Sequence, residues 1–304
     1  MNIQQKKWVN KSENAEQVQE LLNYLFANCG QDNNSIGCQQ VEAFAATALV
    51  SEMEVGEVDW DDKRINGIKF DSSLPVCLES MILDLMLGNF PYSDSMGNIE
   101  LIEDTFNTLG NGNPSGIDFV ATYKVANISG NGATSPISYD STTNIYSLEI
   151  TIDTDLVANG TKLSIIKTVL HESIHAYLKY LAKQFPAYFN DPNGSFSNLI
   201  AAYQTYNNSN DAHHIYMASI ITNMANNVSN FVQEKYGYPV STSDYYEAVC
   251  WSGITHLRNG NLNPLFSSNY PSFNDQQNII KIFNTENGTA SYPGYSPLIN
   301  NNCN

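Results

Sequence analysis

The stretch Thr168-Val169-Leu170-His171-Glu172-Ser173-Ile174-His175-Ala176-Tyr177 decides how this chain is read. It contains His-Glu-x-x-His. Residues at i and i+4 are neighbours on a helix surface, so His171 and His175 can reach one metal ion together. Glu172 lies about 100° round the helix, where a carboxylate can hold a water beside the metal rather than the metal itself. Zinc (Zn²⁺) suits such ligands, because it takes neutral imidazole nitrogen without redox or d-electron demands. The flanks, Leu163 to Leu170 and Ala176 to Leu181, contain no Gly or Pro and extend the motif into one long, largely apolar helix. The plain alternative is two satisfied histidines on a core helix. The pattern's mechanism outweighs it.

A catalytic zinc needs a third protein ligand and an open position for water. The chain has 5 histidines: the motif pair, the adjacent His213 and His214, and His256. A second helix is predicted from Asp211 to Lys235. On it Ala218, Ile221, Ala225, Val228 and Val232 follow His214 at helical spacing, a core-facing stripe that turns His214 inward. His213 shares its own face with Met217, Ile220, Met224 and Phe231, so periodicity prefers His214 only weakly. His213 is expected at the surface. Asp211 is the expected N-cap and a weaker ligand candidate, and Glu247 is a distant carboxylate alternative. Longer zinc-binding patterns fail: Leu178 stands where a glycine, and Leu181 where a third histidine, would be required. No Glu occurs between Glu172 and Glu234.

At 304 residues, with 42% hydrophobic and 15% charged residues, the chain can bury a substantial core in one large domain or one domain with an accessory. Its polarity comes from Asn, Ser, Thr and Tyr, a composition common in secreted proteins. A net charge of −17 argues against binding nucleic acid or an anionic membrane surface, both of which require Lys and Arg. No run of 18 apolar residues is present, so membrane insertion is not expected. The N-terminal stretch Met1 to Trp8 lacks the apolar core of a signal peptide. An exported protein that leaves by another route, or an excised part of a longer one, is the first expectation, and a cytoplasmic protein the second. There are 5 cysteines and no Cys-x-x-Cys pair, so a thiolate zinc site is not expected. Cys29 and Cys38 flank a loop short enough for a local disulfide. Cys303 could tie down the C-terminal tail, and Cys250 reads as a buried free thiol.

Helical spacing predicts helices over 14–28, 38–55, 74–87 and 98–109. The turn-rich break Gly110 to Gly116 then changes the texture. Ile117, Phe119, Ala121, Tyr123 and Val125 alternate as one half-buried strand, and Tyr146, Leu148, Ile150 and Ile152 as another. The two are expected to pair antiparallel. The second, just before the active-site helix, could offer the cleft a free edge. Further helices are expected around 196–206, after Ser241-Thr242-Ser243-Asp244, and from Asp275 to Phe283. The fold class is therefore α+β, mainly helical: a small antiparallel sheet and an active-site helix, preceded by N-terminal helices.

The chain presents, in order, Leu74-Pro75-Val76-Cys77, Thr168 to Leu178, His214-Ile215-Tyr216-Met217, Tyr246 to Gly253 and Cys303. This resembles a group of bacterial zincin-like metallopeptidase domains, often found at the C-terminus of exported or polymorphic-toxin-like proteins. The resemblance covers residues 56–304, with a helical lead-in over 56–110 and the sheet and active-site helices over 111–304. Residues 1–55 form an N-terminal helical extension outside it. Carried over by position, the histidine three residues before Met217 is the third ligand, which is His214. The resemblance also implies that Cys77 pairs with Cys303, and that a secreted effector or toxin domain would meet a cognate inhibitor or immunity protein.

The expected function is a zinc-dependent peptidase acting on a protein or peptide. His171, His175 and His214 hold Zn²⁺, Glu172 is the general base, and Tyr246, with Tyr216 behind it, stabilises the oxyanion. The competing expectation is a metal-stabilised, non-catalytic binding module. An intact Glu172 argues against it, because a structural site needs only ligands.

Overall fold

Alternating side chains make the sheet one-sided. Phe119, Ala121 and Tyr123 are buried along one face of β2 (Asp118–Ala126), and Leu148, Ile150 and Ile152 along the same face of β5 (Ile145–Asp153). The computed structural model describes residues 14, 18–19, 68–87, 118–142, 145–184, 209–238 and 243–297. The chain divides into two units, Met1–Asn66 and Gly67–Asn304. In the first, only residues 14 and 18–19 are described, the latter helical. The helices expected over 38–55, 98–109 and 196–206, most of that over 14–28, the Cys29–Cys38 pairing and Cys303 lie outside the described residues.

The sheet is mixed, not antiparallel. β1 (Ile68–Phe70) pairs parallel with β2, and β2 pairs parallel with β5, Phe119 lying opposite Tyr146 and Tyr123 opposite Ile150. β3 (Gly132–Thr134) and β4 (Ser138–Asp140) both pair antiparallel with β5, giving a 5-stranded sheet ordered β1-β2-β5-β3 with β4 also on β5. The reason is two reversals. The chain turns back after β2 to lay β3 and β4 on the far side of β5. It turns again after Asp140, whose Oδ1 accepts the Thr142 N–H at 2.8 Å. The second reversal restores the direction of β2. Alternation reveals which side chains face the core but carries no information about strand direction. β5 is consequently an interior strand, and β3 takes the edge.

Following β5 come α2 (Thr154–Asn159) and α3 (Lys162–Gln184), which carries the motif. α3 lies over the buried sheet face: the Tyr180 ring sits 4.7 Å from Phe119, and the Tyr123 hydroxyl 2.8 Å from Ser173 Oγ. Leu163, Ile165, Ile166, Val169, Leu170, Ile174, Ala176 and Leu178 are all buried, so apolar residues surround this helix on nearly every side. α1 (Val76–Leu87), with Pro75 just before its first turn, packs Leu78, Met81, Ile82 and Leu85 into the core. Cys77 on α1 is disulfide-bonded to a partner outside the described residues, and Cys250 is a buried free thiol.

The helix expected over Asp211–Lys235 is two helices, α4 (Ser209–Ser219) and α5 (Ile221–Tyr236). At the joint the Ser219 hydroxyl donates to Tyr216 O at 2.7 Å, and Ile220 N–H reaches back three residues to Met217 O at 3.1 Å. A hydroxyl that competes for a carbonyl in this way breaks the i→i−4 ladder. Asp211 is also not the N-cap, since α4 already begins at Ser209; its carboxylate accepts Arg258 N–H at 2.9 Å. α6 (Ser243–Cys250), α7 (Pro264–Asn269) and α8 (Phe273–Glu286) complete the unit. Among the described residues no helix is long and apolar enough to cross a membrane.

The end of α8 clamps the start of α3. Thr161 donates its N–H to Glu286 O at 2.9 Å and its hydroxyl to the Glu286 carboxylate, while Ser164 donates its hydroxyl to Asn287 Oδ1. A buried carboxylate is tolerable there because helix N-termini favour negative charge and supply hydrogen bonds. Gly288 follows at φ +70°, and a Cβ on it would lie 2.2 Å from Asn159 O. Gly288→Ala is therefore expected to destabilise the protein by at least about 1–3 kcal/mol, the cost of a strained left-handed residue, with the clash added to it. A denaturant midpoint unchanged from the parent chain would refute this account of the clamp.

Candidate metal centre

Lys167, His171, His175 and Lys179 follow one another at four-residue steps and so form a single ridge along α3. That ridge and β3 are the two walls of a cleft of about 450 Å³. His171, His175 and His214 are brought together by α3 and α4, one nitrogen of each lying within 4.8 Å of the others. The spacing that α-helices impose supplies the first two rings. The third arrives because α4 packs across α3, setting the His214 ring 5.5 Å from that of His171 and 5.1 Å from that of His175.

The protonation states suit a cation. Burial, followed by the neighbouring charge of Lys167, holds His171 well below the usual imidazole range; burial does the same for His175. His214 is lowered to about 4, mainly by burial. All three rings are neutral at pH 7, as metal ligation requires. Nδ1 of His171 and Nδ1 of His214 are buried with no hydrogen-bond partner. The convergence of the three rings, with one nitrogen of each within 4.8 Å of the others, is what suits a shared cation. The residues present therefore fit a metal ion, which they can hold through three imidazoles.

His213 departs from expectation. It is fully buried rather than at the surface, and its Nδ1 lies 2.8 Å from His175 Nδ1. If His175 gives Nε2 to a metal, its Nδ1 carries the hydrogen and His213 is the acceptor. Burial lowers His213 to about 3, which keeps that acceptor neutral. Adjacent residues sit about 100° apart on a helix, so one can face the cation while its neighbour buttresses the ring beside it. The stripe argument failed here because the face His213 shares with Met217, Ile220, Met224 and Phe231 is buried as well as the one below His214.

Glu172 stands against β3. Its Oε1 is 3.8 Å from His171 Nε2, and its Oε2 accepts the Thr134 hydroxyl at 2.7 Å. Gly132 makes room for it: a Cβ there would lie 2.7 Å from Glu172 Cγ and 2.9 Å from Thr168 Cγ2. Burial pushes the carboxyl up to about 7, against the Thr134 bond and the charges of Lys167 and Lys179, which pull it down. Lys179 also staples the two walls, donating to Thr134 O at 2.5 Å and Ser135 O at 3.3 Å. Gly253, at φ +87°, passes close to His171, which a Cβ would approach to 3.6 Å.

Several expected site residues are elsewhere. Tyr246 is buried against α5 near Ser229 and Gln233, and it does not line the cleft. An N-terminal position on α6 directs it into the helix bundle, so the oxyanion role assigned to it has no geometric basis. Tyr216 does not line the cleft either. Glu247 accepts hydrogen bonds from Tyr270 at 2.9 Å and Thr222 at 3.2 Å, away from the histidines. His256 is exposed beside Thr255. The cleft residues that the sequence reading passed over are Gly132, Thr134, Lys167, Lys179, Ser252 and Gly253. For the lysines a signal existed: both lie on the i+4 row of the motif.

Comparison of the chain with protein-family models, curated proteins and solved structures found no match in any of the three. Fold and site together define an α+β protein with a three-histidine group able to bind a metal ion.

Two substitutions separate the histidine roles. His214→Ala is expected to remove measurable tight metal binding in a chelator competition. His213→Ala should weaken it by about 10–100-fold, the usual effect of losing a partner behind a ligand. Equal effects would place both rings on the metal, and no effect of the latter would dismiss the buttress.

Proposed function

We propose that the chain is a zinc-dependent peptidase in which His171, His175 and His214 hold the ion and Glu172 is the general base. The observation that carries this reading is the placement of a buried carboxylate 3.8 Å from a nitrogen of the three-histidine group. A bound zinc supplies Lewis acidity and lowers the pKa of a nearby water towards about 7. Glu172 is positioned to take the proton of the attacking water and return it to the leaving nitrogen. Thr134 and Gly132 fix the carboxylate, and the exclusion of bulk water strengthens its electrostatics. His213 orients His175.

The substrate is read as an extended peptide. In the β3–β5 ladder Asn131 O accepts from Asp153 N–H and Ser135 N–H donates to Glu149 O, so the main chain of Gly132 and Thr134 faces the other way. Thr134 O is taken by Lys179, which leaves Gly132 as the place where a peptide can add to the edge. A metal-stabilised binding module would have no use for a carboxylate so carefully supported. The resemblance to exported and toxin-like domains adds, on its own authority, a secreted effector role with an immunity protein as partner. The net charge of −17 speaks against nucleic acid.

Glu172→Gln is expected to retain stoichiometric zinc and to lower hydrolysis of unfolded protein substrates by about 10²–10⁴-fold. Gly132→Ala should also retain zinc but lose part of the activity by displacing the same carboxylate. Metal analysis beside a peptide-release assay checks both, and a Glu172→Gln protein as active as its parent would end the general-base assignment.

A further inference from the structure

Lys167 has no place in the chemistry above, yet its amine is almost entirely out of water: the residue is 2% exposed and lines the cleft. Of its three N–H donors one is used, on Ser252 O at 2.9 Å. The Ser252 side chain repeats the pattern. Its Oγ accepts from Asn287 Nδ2 at 3.1 Å and from Asn131 Nδ2 at a long 3.4 Å, so its own hydroxyl hydrogen has no acceptor. Lys167 and Ser252 thus place spare donors at one end of the cleft, beside Asn131. An ammonium buried with unfilled donors is unfavourable, and burial lowers Lys167 to about 8. A buried ammonium with spare donors beside a spare hydroxyl hydrogen suits an anion.

The field agrees. The chain as a whole carries −17, but among the described cleft-lining residues Glu172 is the single acid, facing Lys167 and Lys179. Geometry then tells which part of a substrate arrives there. Asn131 touches Ser252 at the Lys167 end, and Thr134 touches Glu172 and Lys179, so β3 runs along α3 in the same direction. A peptide added antiparallel, the more stable pairing, has its C-terminal side at Lys167. Four residues of helix rise about 6 Å, and long side chains lean towards the helix N-terminus. The amine therefore lies one or two peptide residues beyond the histidines, too far along the ridge to meet the scissile carbonyl itself.

We propose that the Lys167 end of the cleft is a carboxylate subsite, and that the substrate carries a carboxylate one or two residues to the C-terminal side of the bond being cut. This rests on the peptidase reading. The carboxylate is either the C-terminus of the peptide or an Asp or Glu side chain.

The test uses the full chain, zinc-loaded, as the Glu172→Gln variant, so that binding is measured without turnover. The probes are malonyl hydroxamates of alanine, alanylalanine and trialanine. The hydroxamate grips zinc and the alanines extend on the leaving-group side. Each is made as a free acid and as an amide, and the two longer amides also with aspartate replacing one alanine. Calorimetry is expected to show, at one length, a carboxylate-bearing probe binding about tenfold or more tighter than the plain amide, as one charge-assisted hydrogen bond would give. The acid winning identifies the C-terminus, and the aspartyl amide winning identifies an acidic side chain. Lys167→Met should abolish the preference at unchanged zinc content, while Lys167→Arg keeps part of it. Equal affinities for all probes, or no binding, in protein that retains Lys167 would overturn the subsite without relying on any variant's folding. A preference that survives Lys167→Met would overturn it as well. If the preference is present but zinc-loaded wild-type chain cleaves none of the matching peptides, the peptidase reading fails and the subsite stands.

Discussion

Desolvation governs this centre. Three imidazoles, a fourth behind them, a carboxylate and an amine are drawn largely out of water where α3, α4 and the edge strand β3 meet. Burial keeps the rings neutral and lifts the carboxyl towards neutrality. Neither effect needs a specific partner; both follow from the apolar residues that surround α3. Nδ1 of His171 and of His214 are buried without a hydrogen-bond partner, a desolvation cost that the surrounding packing has to offset. The packing of the sheet beneath α3, through Phe119 on Tyr180 and Tyr123 on Ser173, fixes where that helix presents its rings.

Much of this was legible in the residues themselves. The motif spacing located two members of the three-histidine group and the carboxylate, because helix geometry is local. The absence of Gly and Pro bounded α3, and strand alternation chose the inner face of β2 and β5 correctly. What was not legible depends on tertiary contacts. Strand direction followed from chain reversals that alternation does not encode. The break at Ile220 followed from one serine hydroxyl, and His213 proved buried because both apolar faces of these helices meet other elements. With 18 tyrosines in the chain no pattern singles out Tyr246, and the fold sets it beside Ser229 and Gln233 of α5.

Gly132 and Lys167 show two kinds of missed signal. Gly132 matters for the space it leaves to a side chain from another element, and no one-dimensional pattern reports such an approach. Lys167 was in view, but a charged residue in an apolar helix reads as a solvated one until its exposure is known. Its position one turn before His171 was the clue, since a residue on the row of the ligands shares their wall.

The clamp between α8 and α3 links residues 125 and 123 positions apart in the chain. Contacts of such separation form late, after shorter loops have closed. A nascent polypeptide therefore displays the histidine motif long before translation delivers Glu286 and Asn287 to seat the helix that bears it. Chains interrupted upstream of that pair would leave the Thr161 and Ser164 hydroxyls without these acceptors at a buried helix start.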